Sequence, residues 1–184
     1  MELITELQAE PIAMQNDADG VWSVTLQNAT TDAFTYYFCV DGTATADPQN
    51  MYLAPSKGFK PSVCNNNAGA YYYPTAGDIT YGQLRYDLNR GVACFIPGAN
   101  KGDAVLIRLI PGQDDTIESW FKIGGADVMA DKLVAQGRTL SCILTTDADQ
   151  QPSAGQKVYT LRADDYSTWP ARRQALEQLL LNLK

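Results

Sequence analysis

The sequence predicts a mainly β protein: an antiparallel β-sandwich-like single domain over residues 1–184, with a short peripheral helix near 127–136 and a C-terminal helix near 169–183. Three observations carry this. Apolar residues recur with period two in short runs, separated by the Gly, Pro, Asn and Asp that turns require. The longest such stretch, Gly91 to Ile123, contains two Ile-Pro-Gly steps, at 96–98 and 110–112, where a fixed φ precedes a permissive one. Helical grammar is clearest near the C-terminus, in a leucine stripe after a capping residue.

Taken in order, residues 2–14 hold Leu3, Ile4, Leu7 and Ala9 before Pro11, and fit either a short strand or one to two helical turns. Asn16 to Gly20 reads as a turn, after which Trp22, Val24 and Leu26 alternate with Ser23, Thr25 and Gln27 as a strand with one buried face. Phe34 to Val40 is an aromatic-rich strand closed by Asp41-Gly42. From Asp41 to Gly82 the composition shifts: Pro48, Pro55, Pro61, Pro74, five glycines and Asn65-Asn66-Asn67 argue against long strands. Asn50 to Leu53 and Ala70 to Tyr73 remain as short pieces able to pair at a sheet edge, where a following proline is tolerated.

Further on, Val92, Cys94 and Ile96 alternate with Ala93 and Phe95. Ala104 to Ile110 is apolar on both faces except at Arg108, the mark of a central strand covered on both sides. Thr116 to Ile123 reads as its hairpin return, with Ile117, Phe121 and Ile123 on one face and Glu118, Trp120 and Lys122 on the other, which sets Trp120 among charges. Val128, Met129, Leu133 and Val134 before Gly137 give the short helix. Arg138 to Thr145 and Gln156 to Leu161 are strands around a loop at 147–155. In the last helix Ser167 or Thr168 is the cap, Pro170 sits in the first turn, and Ala175, Leu176, Leu179, Leu180 and Leu183 form the stripe. Such a wide apolar arc suits docking on the sandwich or on another subunit, so a homo-oligomer through this helix is an expectation. Arg172 and Arg173 oppose the helix dipole, which implies partners for them.

Composition excludes several functions. A net charge of −7, from 14 basic and 21 acidic residues, lacks the basic footprint of nonspecific nucleic-acid binding. No apolar run reaches the roughly 18–20 residues of a membrane span. The first eleven residues carry three glutamates and neither the basic nor the apolar region of a signal peptide, so cytoplasmic synthesis is expected, with release or assembly into a particle afterwards.

The absence of histidine removes the commonest general base, the Ser-His-Asp and Cys-His arrangements, and every His-containing metal site. Neither a phosphate-binding P-loop nor a dinucleotide fingerprint occurs. Asp114-Asp115 and Asp164-Asp165 are adjacent pairs in turn-like sequence and read as solvated carboxylates, so the chain is expected not to be an enzyme and to need no cofactor. Asp17, Asp19 and Gly20 keep step with a calcium loop, but Gln15 and Leu26 stand where its outer acidic ligands belong, and a plain turn is the better reading. Asn28-Ala29-Thr30 is a glycosylation sequon, relevant only to a secreted eukaryotic protein. Cys39, Cys64, Cys94 and Cys142 are spread singly and read as small buried hydrophobes, with one or two disulfides as the alternative.

What stands out is tyrosine, with eight of ten between residues 36 and 86. A flat ring with a polar tip suits glycans, lipid head groups and protein surfaces alike, whereas a satellite cluster packed under the long loop is the plainer account. If there is a ligand surface, the expected residues are Tyr71, Tyr72, Tyr73 and Tyr81 with Asn65 and Asn66 at the rim, and Trp120 as a weaker second site. The leading expectation is a non-enzymatic recognition module for a glycan, a lipid head group or a protein surface. The alternative is a structural component of a larger homo-oligomeric particle, such as a virion or a secretion apparatus.

The order of a Trp22-containing strand, paired central strands ending at Pro111, a Trp120-Phe121 strand and a short helix is similar to the pore-forming actinoporin sandwich over about half the chain. It departs from that family in its acidic charge, in Pro11 interrupting the N-terminal segment, and in a helix after Trp120 without tyrosines. The resemblance implies a membrane-acting toxin of β-sandwich type as a further alternative.

Overall fold

A computed structural model describes residues 1–27, 33–65, 80–98 and 105–183. In chain order its strands are β1 (Glu2–Thr5), β2 (Ile12–Ala13), β3 (Gln15–Asn16), β4 (Trp22–Ser23), β5 (Ala33–Val40), β6 (Thr43–Thr45), β7 (Ser62–Asn65), β8 (Gln83–Asp87), β9 (Val92–Ile96), β10 (Val105–Ile110), β11 (Cys142–Thr145) and β12 (Val158–Arg162). The α-helices are α1 (Ser119–Lys122), α2 (Ala126–Ala135) and α3 (Trp169–Asn182). The protein is mainly β, and both helices read from the sequence form within a residue of their expected bounds.

The first sheet is antiparallel throughout and centred on β5, which pairs β1 along one edge and β6 and β7 along the other, with β2 outside β1. Asp41 (φ 49°) and Gly42 (φ 80°) close the β5–β6 hairpin, the two positive φ angles matching the twist of the strands they join. The expected strand at 22–26 shrinks to β4, paired among the described residues with β3, and Trp22 is exposed. Between them Asp17 Oδ1 accepts from the N–H groups of Asp19 and Val21, so the residues that keep step with a calcium loop build a plain turn.

The second sheet runs β12-β10-β11-β9-β8 and is mixed. β10 is central, as its two apolar faces predict, but both its neighbours are parallel to it. This corrects the expected hairpin. With β11 and β12 occupying both edges of β10, Thr116 to Ile123 has no strand to pair with, and it folds as a turn followed by α1. Thr116 starts that turn, its carbonyl accepting from Ser119 N–H (3.1 Å) and its hydroxyl from Glu118 N–H (3.3 Å). Gly124 ends it, because a Cβ there would lie 2.3 Å from the Trp120 carbonyl. The strand order that carried the actinoporin resemblance is therefore broken at the Trp-Phe step.

The three helices contribute to one hydrophobic cluster with Ala93, Phe95, Ile107, Leu109, Cys142 and Leu144 of the second sheet. α3 joins the two sheets, touching β5 of the first and α2 on the second. Leu176 and Leu180 are sealed, Ala175, Leu179 and Leu183 are half-buried and Leu181 faces out, so the stripe docks on this chain's own core. The N-terminus of α3 is capped by Thr168, whose hydroxyl accepts from Ala171 N–H (3.3 Å), and by Glu6, which accepts from Trp169 N–H (2.7 Å) and Thr35 N–H (2.6 Å). The arginines have internal partners. Arg172 pairs with Asp115 (3.0 Å) and lies over the Trp169 ring, while Arg173 donates to the Gly124 carbonyl (2.8 Å). No disulfide joins the four cysteines, and burial pushes Cys142 up to about 12. No helix among the described residues is long and apolar enough to cross a membrane.

Candidate functional site

The loop-rich stretch after β6 is braced before it is exposed. Asn50 donates through Nδ2 to the Val63 carbonyl (2.8 Å) and the Tyr36 hydroxyl (3.0 Å), and its Oδ1 accepts from Tyr52 N–H (2.9 Å). Tyr36 in turn donates to Asp47 (2.8 Å), and burial, with the Asp47 carboxylate beside it, pushes this phenol up to about 12. Next, residues 52–54 run antiparallel beside β7: Val63 N–H donates to Tyr52 O and Ala54 N–H to Pro61 O, both at 2.8 Å, bracketing a bridge between Leu53 and Ser62. The edge piece expected at Asn50 to Leu53 thus exists. Because β7 bonds residues 52 and 54, the N–H and C=O of Leu53 point away from the sheet, as strand alternation requires.

Behind this edge the chain is pinned to the other half of the molecule. Lys57 N–H donates to the Asp114 carbonyl (2.9 Å), Lys57 Nζ to the Gln113 carbonyl (2.9 Å), and Ser119 Oγ to the Pro55 carbonyl (2.8 Å). Held this way, Met51, Tyr52 and Leu53 are 93%, 78% and 45% exposed. Beside them opens a groove of about 680 Å³, walled by Val63, Cys64, Asn65, Ile123 and Lys122. Three consecutive apolar side chains on an outer strand are unusual, since such edges normally carry charge or proline to discourage pairing.

Of the residues expected at a ligand surface, Asn65 ends β7 exposed and lines this groove. Tyr81 is exposed too, but its backbone packs against Gly98, beyond β9. Tyr71, Tyr72, Tyr73 and Asn66 lie outside the described residues. Trp120 is corrected: it is 0% exposed, its indole N–H donates to the Ile110 carbonyl (3.1 Å), and its ring meets Trp169 edge-on at 5.7 Å. It closes the end of β10 instead of presenting a surface. Met51, Tyr52 and Leu53 were not in the expected set, although an edge piece apolar at successive positions, hence on both faces, was the signal for them.

The carboxylates are partly corrected as well. Asp114, Asp164 and Asp165 are exposed, but Asp115 is largely buried, accepting from Gly112 N–H (3.0 Å) and pairing with Arg172. Glu6, whose carboxyl burial pushes up, is committed to the α3 N-terminus. In the groove itself Cys64 is a thiol raised by burial, which leaves it protonated at neutral pH and a poor nucleophile. The arrangement offers apolar contact and main-chain hydrogen bonds. No protein-family model and no curated protein matches the sequence.

Proposed function

We propose that this chain is a non-enzymatic recognition module that binds a protein partner, taking up an extended segment along the edge at residues 51–54. The observation that supports this reading is the coincidence, at one place, of an outward-facing Leu53 peptide unit with three exposed apolar side chains and a groove beside them. Strand addition draws affinity from main-chain bonds and selectivity from pockets for alternate side chains, and both are supplied here. A glycan or lipid head group would use Tyr52 but would leave Met51 and Leu53 without a role.

The test is selection of a displayed random peptide library on the immobilised protein. Extended apolar peptides should be enriched, and a triple variant Met51→Ser, Tyr52→Ser, Leu53→Asn should weaken them by at least about tenfold, equivalent to 1.4 kcal/mol. Peptides that bind wild type and variant equally, or no enrichment, refute the reading. Light scattering after size exclusion separates the assembly alternative, because a monomer is expected here and rings or filaments there.

A further inference from the structure

The second sheet has a face that none of the three helices covers. Cα pairing sets Arg85, Cys94, Thr145, Arg108 and Thr160 in one row across its five strands, pointing away from the core cluster. Two walls rise from this floor: the β8–β9 turn at 87–90, and the connection after β11, where Arg108 Nη2 donates to the Gln150 carbonyl (2.8 Å). An ion pair between Arg90 and Asp147 clamps the walls together. They enclose a cleft of about 1030 Å³, lined on its rim by Asn89, Asp149 and Gln151.

We propose that this cleft binds a neutral polyhydroxylated ligand, a glycan. Charge selects that class. Arg85 and Arg90 face Asp87, Asp147 and Asp149, and the Arg90–Asp147 pair cancels itself, so an anion meets net repulsion and a cation meets Arg85 beside the two remaining carboxylates. A vicinal diol donates and accepts at once, and is matched by guanidinium, carboxylate and amide groups side by side. The carbon face of a sugar ring has Val92 on the floor and Leu88, 80% exposed, at the turn. Cys94 is half-buried on the floor, its thiol pushed up by burial. This site is separate from the edge at residues 51–54 and does not depend on it.

The experiment titrates ¹⁵N-labelled protein with maltotriose, cellotriose and chitotriose to about 10 mM, a range that reveals millimolar affinity. A sulfated heparin disaccharide and a chitosan trimer serve as anionic and cationic probes. Amides at 88–90 and 149–151 are expected to shift with at least one neutral trisaccharide. The double variant Asn89→Ala, Gln151→Ala, altering exposed side chains only, should lose those shifts or weaken binding about tenfold while keeping its melting temperature. A charged probe that binds more tightly, neutral-sugar shifts confined to other residues, or no shift with any trisaccharide overturns the proposal.

Discussion

Two apolar strips of this molecule, Met51 to Leu53 and the leucine face of α3, begin with similar chemistry and end in opposite states. On α3, Leu176 and Leu180 are fully buried, while at the sheet edge three neighbouring side chains are exposed. The difference lies in what fixes the backbone. A helix satisfies its peptide groups internally, so α3 can rotate its stripe inward once its ends are held by Glu6, by Thr168 and by Arg138, which donates to the Leu181 carbonyl (2.8 Å). Residues 52–54 take their orientation from hydrogen bonds to β7, and alternation then turns side chains to both faces whatever their polarity.

The contrast can be broken most directly at the buried strip. Leu180→Ala or Leu176→Ala should lower unfolding free energy by about 2–5 kcal/mol in urea titrations, and a loss below about 1 kcal/mol would mean that the helix is not part of the core. Thr168→Ala, which leaves packing intact but removes the cap, should cost about 1 kcal/mol. A pH series sharpens the same point. Asp131 on α2 is buried, its oxygens accept from Gly82 N–H at 3.1 and 3.2 Å, and burial raises its carboxyl. A raised folded-state value means that the folded chain holds a proton the unfolded chain has released, so this contribution is largest at low pH and falls as pH rises through the folded value. Asp131→Asn should therefore gain stability relative to wild type as pH rises above the unfolded carboxyl value of about 4. At the open strip, Met51→Ser, Tyr52→Ser and Leu53→Asn should each change stability by less than about 0.5 kcal/mol, measured the same way.

Local pattern was enough for β5, β9 and the ends of α2 and α3, where turn residues, caps and periodicity agree. It was also enough for the central place of β10, since a run apolar on both faces can be satisfied nowhere else. It failed at Thr116 to Ile123. There the spacing that puts Ile117 and Phe121 on one strand face also puts them one helical turn apart, and the outcome rests on whether β10 has a free edge. That edge is taken by segments beyond residue 140, which no local window contains. Trp120 followed its segment into the core. The groove was half legible, because Asn50 to Leu53 and Asn65 were singled out separately and only β7 brings them together. The cleft between residues 87–90 and 147–151 was not legible at all, its walls being joined by topology alone.

The parallel neighbours of β10 also set an order of events. During synthesis Val105 to Ile110 leaves the ribosome as a six-residue strand, apolar except at Arg108, long before Cys142 and Val158 can flank it. At about 5–20 residues per second the nascent chain carries that run unprotected for several seconds. A chaperone that shields strands should therefore raise the yield of this protein, and a circular permutant in which β11 and β12 are translated first should need it less.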